Sequence, residues 1–297
     1  DQGNGKYALA GNSTIEVSQQ PAFGLQTFDR QDDAWNKNGV YRIELFLNDE
    51  LCYDFKMETF AFTETRYINS HIDFGLKDCC RKTVNKLYVE PNNALSVYAG
   101  TPKMNLPDLA IDSTATVRIR VSDVAQNTSE LEFNVKRVKP MNELPLAPVD
   151  LPLFTATQSN FYKSDQLKVT LPAGALYRDV YFEHLTSDAC ATCLSEVHQA
   201  GASAIPVHRY YQLELKARGV PPAIPSSKLC IISLKNGAIA DYEGGTFNAG
   251  WVSTRTRQFG EFAVSFDTLA PSIAPVNFKS GSTVSSATSE LKIKVED

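Results

Sequence analysis

Two neighbouring runs of alternating apolar and polar residues constrain the fold of this chain more than any other feature. Apolar side chains occupy every second position of residues 41–47, and the alternation resumes over residues 51–57 after the polar turn Asn48-Asp49-Glu50. A period of two is the pattern of a β-strand with one buried face, and two such runs around a short turn predict a β-hairpin. The chain is therefore expected to build β-sheets.

The segment after this hairpin combines aromatic residues with one arginine. Phe60, Phe62, Tyr67 and Ile68 are too apolar for a free loop, and Arg66 lies among them. A guanidinium in apolar surroundings must satisfy its N–H donors. We therefore expect Arg66 to be largely buried, as a structural tie that holds this crossover to the sheet.

Two kinds of acceptor would satisfy Arg66. Glu64 and Asp73 are the carboxylates close to it in the sequence, and a buried arginine usually has a carboxylate partner. Backbone carbonyls are the alternative acceptors. Residues 63–65 are also suited to start a single helical turn, because threonine is a good N-cap residue.

Alternating segments recur along the whole chain, separated by polar turns such as residues 123–128. Short strands between polar turns are typical of β-sandwiches. The predicted strands are Ile15–Ser18, Phe23–Phe28, Val40–Leu47, Leu51–Met57, Lys86–Val89, Leu95–Tyr98, Thr116–Val121, Leu131–Val135, Leu167–Leu171, Val180–His184, Tyr211–Lys216, Leu229–Ser233, Phe247–Val252 and Phe259–Phe266.

Prolines divide the chain into modules. Four of them, Pro140, Pro145, Pro148 and Pro152, fall within thirteen residues, and proline at this density stiffens a chain and cannot continue a sheet interior. The predicted fold class is all-β, with tandem Ig-like β-sandwich modules and Pro-rich linkers. Its parts are a first sandwich with a flexible N-terminal lead (1–139), the linker (140–152), a second sandwich (153–267) and the start of a third, incomplete one (268–297).

Composition excludes some partners and leaves the redox state open. The net charge is −5 and there is no basic run, so nucleic acid is not an expected partner. No apolar stretch reaches the roughly 18 residues that a membrane span needs. The six cysteines permit disulfides in an oxidising compartment, although the sequence does not fix their pairing.

Several motifs, in the order in which they occur here, resemble the non-catalytic region of Bacteroidota M23-type peptidases. These are cell-envelope proteins that join a zinc peptidase domain to β-sandwich modules. The resemblance runs from about Phe23 to the end of the chain. The motifs are Asp29–Asp32, Asn36–Tyr41, Phe62–Asn69 with Asp73, Val121–Asn127, Leu171–Val180, Phe259–Phe262 and Asp267–Ile273.

The resemblance implies a non-catalytic accessory role. Such a region would position a peptidase domain acting on or near peptidoglycan, or dock it to other envelope proteins or to glycan. The implied location is the cell envelope, either periplasmic or associated with the outer membrane, with the cell surface or secretion as further options. One alternative is a stand-alone envelope scaffold or adhesion module. Another is a carbohydrate-binding accessory region, for which Trp35 and Trp251 would be the sugar platforms.

The zinc ligands of M23-type peptidases lie in an H-x-H element and an H-x-x-x-D element. This chain has four histidines, His71, His184, His198 and His208, and none stands in either element. A catalytic zinc needs about three converging protein ligands and an open position. No catalytic residue and no cofactor is therefore expected in this segment, and the sequence leaves open whether a catalytic domain belongs to the same protein.

Two weaker metal candidates remain in the sequence. Cys190 and Cys193 have C-x-x-C spacing, with His198 and His208 downstream, and a local disulfide is the rival interpretation. The loop around Asp29 offers many oxygen atoms, as calcium requires, although Asx residues also form turns without an ion. The oxygens of this loop belong to Asp29, Asp32, Asp33, Asn36 and Asn38.

The remaining candidates are turn formers and modification sites. Asp123 and Asn127 are expected to shape the turn of a second hairpin. Asn12 and Asn127 lie in N-x-S/T sequons, which matter only in a eukaryotic secretory route. Ser113 and Thr268 follow an aspartate in the pattern of Bacteroidota O-glycosylation, so they become candidate sites through the family resemblance.

Overall fold

The computed structural model describes residues 3–11, 14–30, 35–59, 61–98, 108–140, 150–283 and 290–296. The predicted all-β class is confirmed, because these residues form several sheets connected by turns and a few very short helices. The longest helix, with seven residues, is far below the roughly 20 residues of a transmembrane helix. None of the helices in the described ranges is long and apolar enough to cross a membrane.

The first module is built on one six-stranded sheet in the order β1-β8-β7-β4-β5, with β2 also paired to β8. The hairpin predicted from residues 41–57 is β4–β5, paired from Arg42 opposite Lys56 to Leu47 opposite Glu50. Both β1 and β2 run parallel to β8, whereas the other pairs are antiparallel. The strands are β1 (Lys6–Ala8), β2 (Thr14–Val17), β3 (Gly24–Leu25), β4 (Arg42–Leu47), β5 (Glu50–Lys56), β6 (Asn85–Lys86), β7 (Thr114–Ser122) and β8 (Thr128–Arg137).

An irregular layer covers the apolar face of this sheet. It contains a 3-10 helix (Phe62–Tyr67), helix α1 (Ile68–His71) and the small β3–β6 pair, and helix α2 (Phe74–Cys80) follows α1 without burying a residue in this core. The predicted strand Leu95–Tyr98 is wrong, because only Tyr98 makes a bridge, to Phe55. The Asn93 side chain accepts from the backbone N–H of Leu95, and local bonds of this kind compete with a strand ladder.

The second module is a sandwich of two five-stranded sheets. Their orders are β10-β11-β15-β19-β18 and β13-β14-β20-β16-β17, and a separate apolar core lies between them. The strands are β9 (Leu153–Phe154), β10 (Asn160–Lys163), β11 (Leu167–Leu171), β12 (Val180–Tyr181), β13 (His184–Ser187), β14 (Val197–Ala200), β15 (Pro206–Lys216), β16 (Leu229–Lys235), β17 (Ala238–Gly244), β18 (Thr246–Asn248), β19 (Trp251–Gln258) and β20 (Gly260–Phe266), with a 3-10 turn at Ser226–Lys228.

The sheet that contains β16 and β20 is apolar on both faces. Ile231 and Val264 point into the core between the sheets, whereas Cys230, Ile232 and Ala263 form a second cluster on the outer face. The C-x-x-C loop packs over this outer cluster. Because the loop lies on the outer face, its cysteines can share a site only with side chains on that same face.

The chain after the second sandwich forms a two-stranded antiparallel pair, β21 (Ser272–Pro275) with β22 (Ile293–Glu296). All residues of both strands are exposed. In the predicted linker, residues 141–149, which include Pro145 and Pro148, lie outside the described ranges. The module boundaries at 139–153 and 267–268 therefore remain predictions, although the two apolar cores fall on either side of the linker.

Shortening a core side chain should destabilise the second sandwich. Leu213 is completely buried on β15, so Leu213→Ala should lower the free energy of unfolding by about 3 kcal/mol, through lost burial and the cavity left behind. Leu185, half exposed on β13, is the matched control, and Leu185→Ala should change it by less than about 0.5 kcal/mol. Urea unfolding measures both, and equal losses would contradict the core assignment.

Candidate functional site at the junction of the two modules

The site is built around a β-bulge in β15, which leaves backbone groups of this strand unpaired. Pro206 lies opposite Gln258 and Tyr211 opposite Thr256, so the four residues Val207–Tyr210 face only Arg257 on β19. A bulge takes backbone groups out of the ladder and re-aims side chains. The sequence predicts a strand only from Tyr211 onward, where regular pairing resumes, and the bulge is the part that it missed.

Arg66 satisfies the carbonyls that the bulge leaves unpaired. Its Nε donates to the carbonyl oxygens of Val207 and His208, each at 3.1 Å, and its Nη2 donates to those of Val207 at 2.8 Å and Arg257 at 2.9 Å. All of these acceptors belong to the second module. Of the two kinds of acceptor expected for Arg66, the structure shows backbone carbonyls. Arg66 therefore ties the segment after the β4–β5 hairpin to the second module.

Glu64 and Asp73, the carboxylates expected to pair with Arg66, bind other groups instead. Glu64 accepts from the backbone N–H and the hydroxyl of Ser96, at 2.9 and 2.7 Å. Asp73 caps helix α2 by accepting from the backbone N–H of Leu76 at 3.0 Å. Arg66 is half-buried rather than largely buried, because Phe62 is 99% exposed and does not cover it. Phe60 lies outside the described residues.

Tyr177 and His208 complete this contact. The Tyr177 hydroxyl donates to the carbonyl of Arg66 at 2.7 Å and lies 3.0 Å from Nδ1 of His208. Because the phenol has one proton, which points to the carbonyl, the hydrogen-bond pattern places a proton on His208 Nδ1. Tyr67 stacks on the imidazole with 4.3 Å between ring centroids. We call Arg66, Tyr67, Tyr177 and His208 the clasp.

Burial and charge keep the clasp in one protonation state. Burial, followed by the nearby guanidinium groups of Arg66, Arg209 and Arg257, lowers the pKa of His208. Burial also raises the pKa of the Tyr177 hydroxyl. Both shifts favour an uncharged imidazole and a protonated phenol near neutral pH, and the phenol proton is the one that Tyr177 donates to the Arg66 carbonyl.

Two further contacts hold the modules together. The backbone N–H of Asn92 donates to the carbonyl of Tyr177 at 3.0 Å, and its side-chain amide donates to those of Ala156 and Leu176 at 3.0 and 2.9 Å. At the end of helix α2, Asp78 forms an ion pair with Lys235 at 2.5 Å. These contacts join the two modules on either side of the clasp's own hydrogen bonds.

A polar cavity of about 260 Å³ lies between these contacts. Its lining includes Glu90, Arg178 and Tyr177. The Glu90 carboxylate is 5% exposed and accepts from the Ser70 hydroxyl at 2.8 Å and from Lys86 at 2.7 Å, while Arg178 lies 3.5 Å away. Its oxygens therefore have partners on both sides of the junction.

The C-x-x-C candidate is a disulfide in this structure. Cys190 bonds to Cys193, and both pack on the outer face of their sheet against Cys230. His198 points to the inner face, where its Nδ1 lies 3.1 Å from His184 Nε2. The sheet itself therefore separates His198 from the two cysteines. Within the described ranges, no three His, Cys, Asp or Glu side chains are grouped as a metal would require.

The second disulfide links the adjacent residues Cys79 and Cys80 at the end of helix α2. Cys79 and Asp78 line a second cavity, of about 610 Å³, between this helix and the second module. Nothing in the sequence distinguished this pair from the other cysteines. Cys52 is buried in the first core.

The other histidines take part in aromatic contacts. His71 is 3% exposed and stacks on Phe55 with 4.6 Å between centroids, and its Nδ1 lies 3.1 Å from the Tyr98 hydroxyl. His184 lies 3.1 Å from the Tyr162 hydroxyl. Burial is the main cause that lowers the pKa of His71, and of His198, to about 4.

The turn and calcium candidates are only partly described. Asp123 accepts from the backbone N–H and the side-chain amide of Asn127, at 2.9 and 2.7 Å, inside the β7–β8 turn. Asp29 and Asn38 pair through their backbones, and Asn36 is exposed. Asp32 and Asp33 lie outside the described residues, as do Asn12 and Ser13 of the first sequon.

The remaining candidates lie on the surface or near it. Ser113 is half-buried and its hydroxyl donates to the carbonyl of Ala110 at 2.6 Å, whereas Thr268 is exposed. Trp35 is 99% exposed. Trp251 is half-buried, with the Lys168 ammonium 3.8 Å from its ring centroid.

Comparison with known families matches only the second module. Residues 152–267 are similar to the Zu5-like domain family, a range that contains Tyr177 and His208 but not Arg66. No curated protein matches the chain. The match therefore concerns one side of the junction.

Removing the Arg66 guanidinium should loosen the junction. Arg66→Met leaves the bulge carbonyls without donors, and each hydrogen bond from a charged group contributes about 1.5–3 kcal/mol. The backbone N–H of Asn92, which donates across the junction, should exchange with solvent at least about tenfold faster. Arg218→Met, which removes an ion pair within the second module, is the control, and unchanged exchange in Arg66→Met would contradict the clasp.

The buried histidines should make the protein less stable in acid. His71 has a folded-state pKa of about 4, below its ordinary 6.5. The unfolded chain therefore binds a proton first as pH falls, so the stability present above pH 6.5 is lost toward pH 4. Between pH 7 and pH 5 this loss is about 2 kcal/mol.

The variant His71→Phe keeps a ring against Phe55 but does not titrate. Its loss of unfolding free energy between pH 7 and pH 5 should be about 2 kcal/mol smaller than that of the wild type. Urea unfolding at the two pH values provides the comparison. The same pH dependence in both proteins would show that His71 is not the group responsible.

Proposed function

We propose that this chain is a non-catalytic positioning region, which holds neighbouring domains or partners in a fixed orientation. The observation that carries the proposal is the clasp. Domains joined only by a linker move relative to each other by default. Here a guanidinium donates to three carbonyls of the other module, and Asn92 and Lys235 add contacts on either side.

In its more specific form, the proposal is that the chain is the accessory region of an M23-peptidase-like cell-envelope protein acting on or near peptidoglycan. Two segments that carry the resemblance, residues 62–69 and 171–180, meet in the clasp, where Tyr177 donates to the Arg66 carbonyl. Contact between residues so far apart in the sequence supports a shared structural purpose for the two motifs.

The proposed location is the cell envelope. The pairs Cys79–Cys80 and Cys190–Cys193 are disulfides in this structure. Structural disulfides persist in oxidising compartments such as the bacterial periplasm and the cell surface. The proposed partners are a peptidase domain, other envelope proteins or a glycan.

A second candidate function is that of a stand-alone envelope scaffold or adhesion module. It is favoured by two aromatic side chains of the first module, Trp35 and Phe62, which are each 99% exposed. Exposed aromatic side chains supply large contact areas to protein and sugar partners. This candidate needs no attached catalytic domain.

A fusion of this chain to an M23-type peptidase domain tests the proposal. The chain alone should not cleave cross-linked muropeptides. In the fusion, Arg66→Met should slow the cleavage of intact peptidoglycan, which needs correct positioning, and should leave the cleavage of soluble muropeptides unchanged. A fusion carrying Arg218→Met is the control.

Three results would decide against the accessory role. Chelator-sensitive cleavage by the chain alone, abolished by changing His71 or His208, would make it an enzyme. Equal cleavage rates on intact peptidoglycan for the wild-type and Arg66→Met fusions would rule out a positioning role for the chain. Absence of binding to the peptidase domain in a pulldown, together with binding to other envelope proteins, would favour the scaffold.

A further inference from the structure

Four arginines surround the bulge in β15. Arg66 donates to the backbone carbonyl of Arg257. The guanidinium carbons of Arg257 and Arg255 lie 4.1 and 5.7 Å from the ring centroid of Tyr210. Arg209 precedes Tyr210 within the bulge, and its Nη1 donates to the carbonyl of Ala173. We call Arg66, Arg209, Arg255 and Arg257 the arginine cluster.

Within the part of the chain that the structure describes, no carboxylate lies within ion-pair distance of the arginine cluster. Other arginines of the same chain do have such partners, among them Arg42 with Asp54 and Arg120 with Glu130. The protein as a whole has a net charge of −5. Four guanidinium groups without a carboxylate partner in the described ranges therefore lie around one bulge, in a chain of net negative charge.

Within the cluster, Arg66 and Arg257 are close enough to repel each other. Burial first, and then the charge of Arg257, lowers the pKa of Arg66. The pKa of His208 is lowered by burial and then by Arg66, Arg209 and Arg257. A bound negative charge would relieve this repulsion, and so a site of this kind attracts anions.

We infer that the arginine cluster is a binding site for an oxyanion, a carboxylate or phosphate group presented by a ligand. Guanidinium forks match the geometry of both groups and bind them in bidentate fashion. Tyr210, which lies near the guanidinium groups of Arg255 and Arg257, is 45% exposed and offers its hydroxyl as a further donor.

Arg66 has donors to spare for such a ligand. Its Nε and Nη2 donate to the backbone carbonyls of Val207, His208 and Arg257. Both N–H groups of Nη1 are left without a protein partner in the described ranges. Neutralising the neighbouring Arg257 would also reduce its repulsion with Arg66, so anion binding should stiffen the junction.

The site does not depend on the proposed function, since an oxyanion can bind whether or not the chain positions a peptidase. Arg255 and Arg257 are suited to a test because the clasp uses only the backbone carbonyl of Arg257. Replacing their side chains leaves that acceptor in place. The matched control is Lys163 and Lys216, two exposed cations of the same sheet.

Titration calorimetry on the full chain at low ionic strength measures the binding of two probes, inorganic pyrophosphate and tricarballylate. The wild type should bind at least one probe saturably, and added salt should weaken the binding. The double variant Arg255→Gln/Arg257→Gln should bind at least about tenfold more weakly. Lys163→Gln/Lys216→Gln removes the same charge and should bind like the wild type.

A third variant separates fork geometry from charge. Arg255→Lys/Arg257→Lys keeps both charges but loses the planar forks, so its affinity should fall between those of the wild type and the glutamine variant. The tighter of the two probes identifies phosphate or carboxylate as the preferred group. Protection of the Asn92 N–H in each variant verifies that the junction is intact.

Two outcomes would overturn the inference. One is an absence of saturable binding of both probes by the wild type. The other is equal weakening by the arginine and lysine double variants, which would mean that only the overall charge matters. Exchange of the Asn92 N–H in Arg66→Met tests only the clasp, whereas probe binding tests only the oxyanion site. Failure of one proposal can therefore be distinguished from failure of the other.

Discussion

The junction depends on one guanidinium that donates to carbonyls removed from a β-ladder. A bulge in the middle of a sheet leaves backbone acceptors unpaired, and an unpaired buried acceptor costs about 1–3 kcal/mol. Arg66 meets this need from outside the module, with four hydrogen bonds to the carbonyls of Val207, His208 and Arg257. The position of the two modules, the orientation of Tyr177 and the environment of His208 all follow from this contact.

The same contact links two chemical sensitivities. His208 stacks on Tyr67 beside three arginines, and burial together with those arginines lowers its pKa. Arg66 and Arg257 also repel each other, and the anion site inferred here would relieve that repulsion. Protons and anions therefore act on one small region, and they act in opposite directions: added protons would increase the positive charge at the clasp, whereas a bound anion would offset it.

Local patterns in the sequence predicted the local structure well. The hairpin over residues 41–57 is β4–β5, and Asp123 shapes the next hairpin, because both depend on alternation and turn chemistry within a few residues. The acceptors of Arg66 lie about 140 residues or more away in the sequence. No local pattern encodes such a contact, so the sequence indicated that Arg66 needs acceptors but offered only Glu64 and Asp73 as nearby carboxylates. The start of β15 was misplaced for a related reason, since the bulge interrupts the regular pairing on which the prediction relied.

The parallel pairing of β2 with β8 gives the first module a particular response to force. The register runs from Thr14 opposite Asn134 to Val17 opposite Arg137, and the pairing ends where the chain leaves β8 for the linker. Tension applied between the start of β2 and the end of β8 pulls the two strands in opposite directions along their length. The rungs between them then carry the load together in shear, rather than opening one after another.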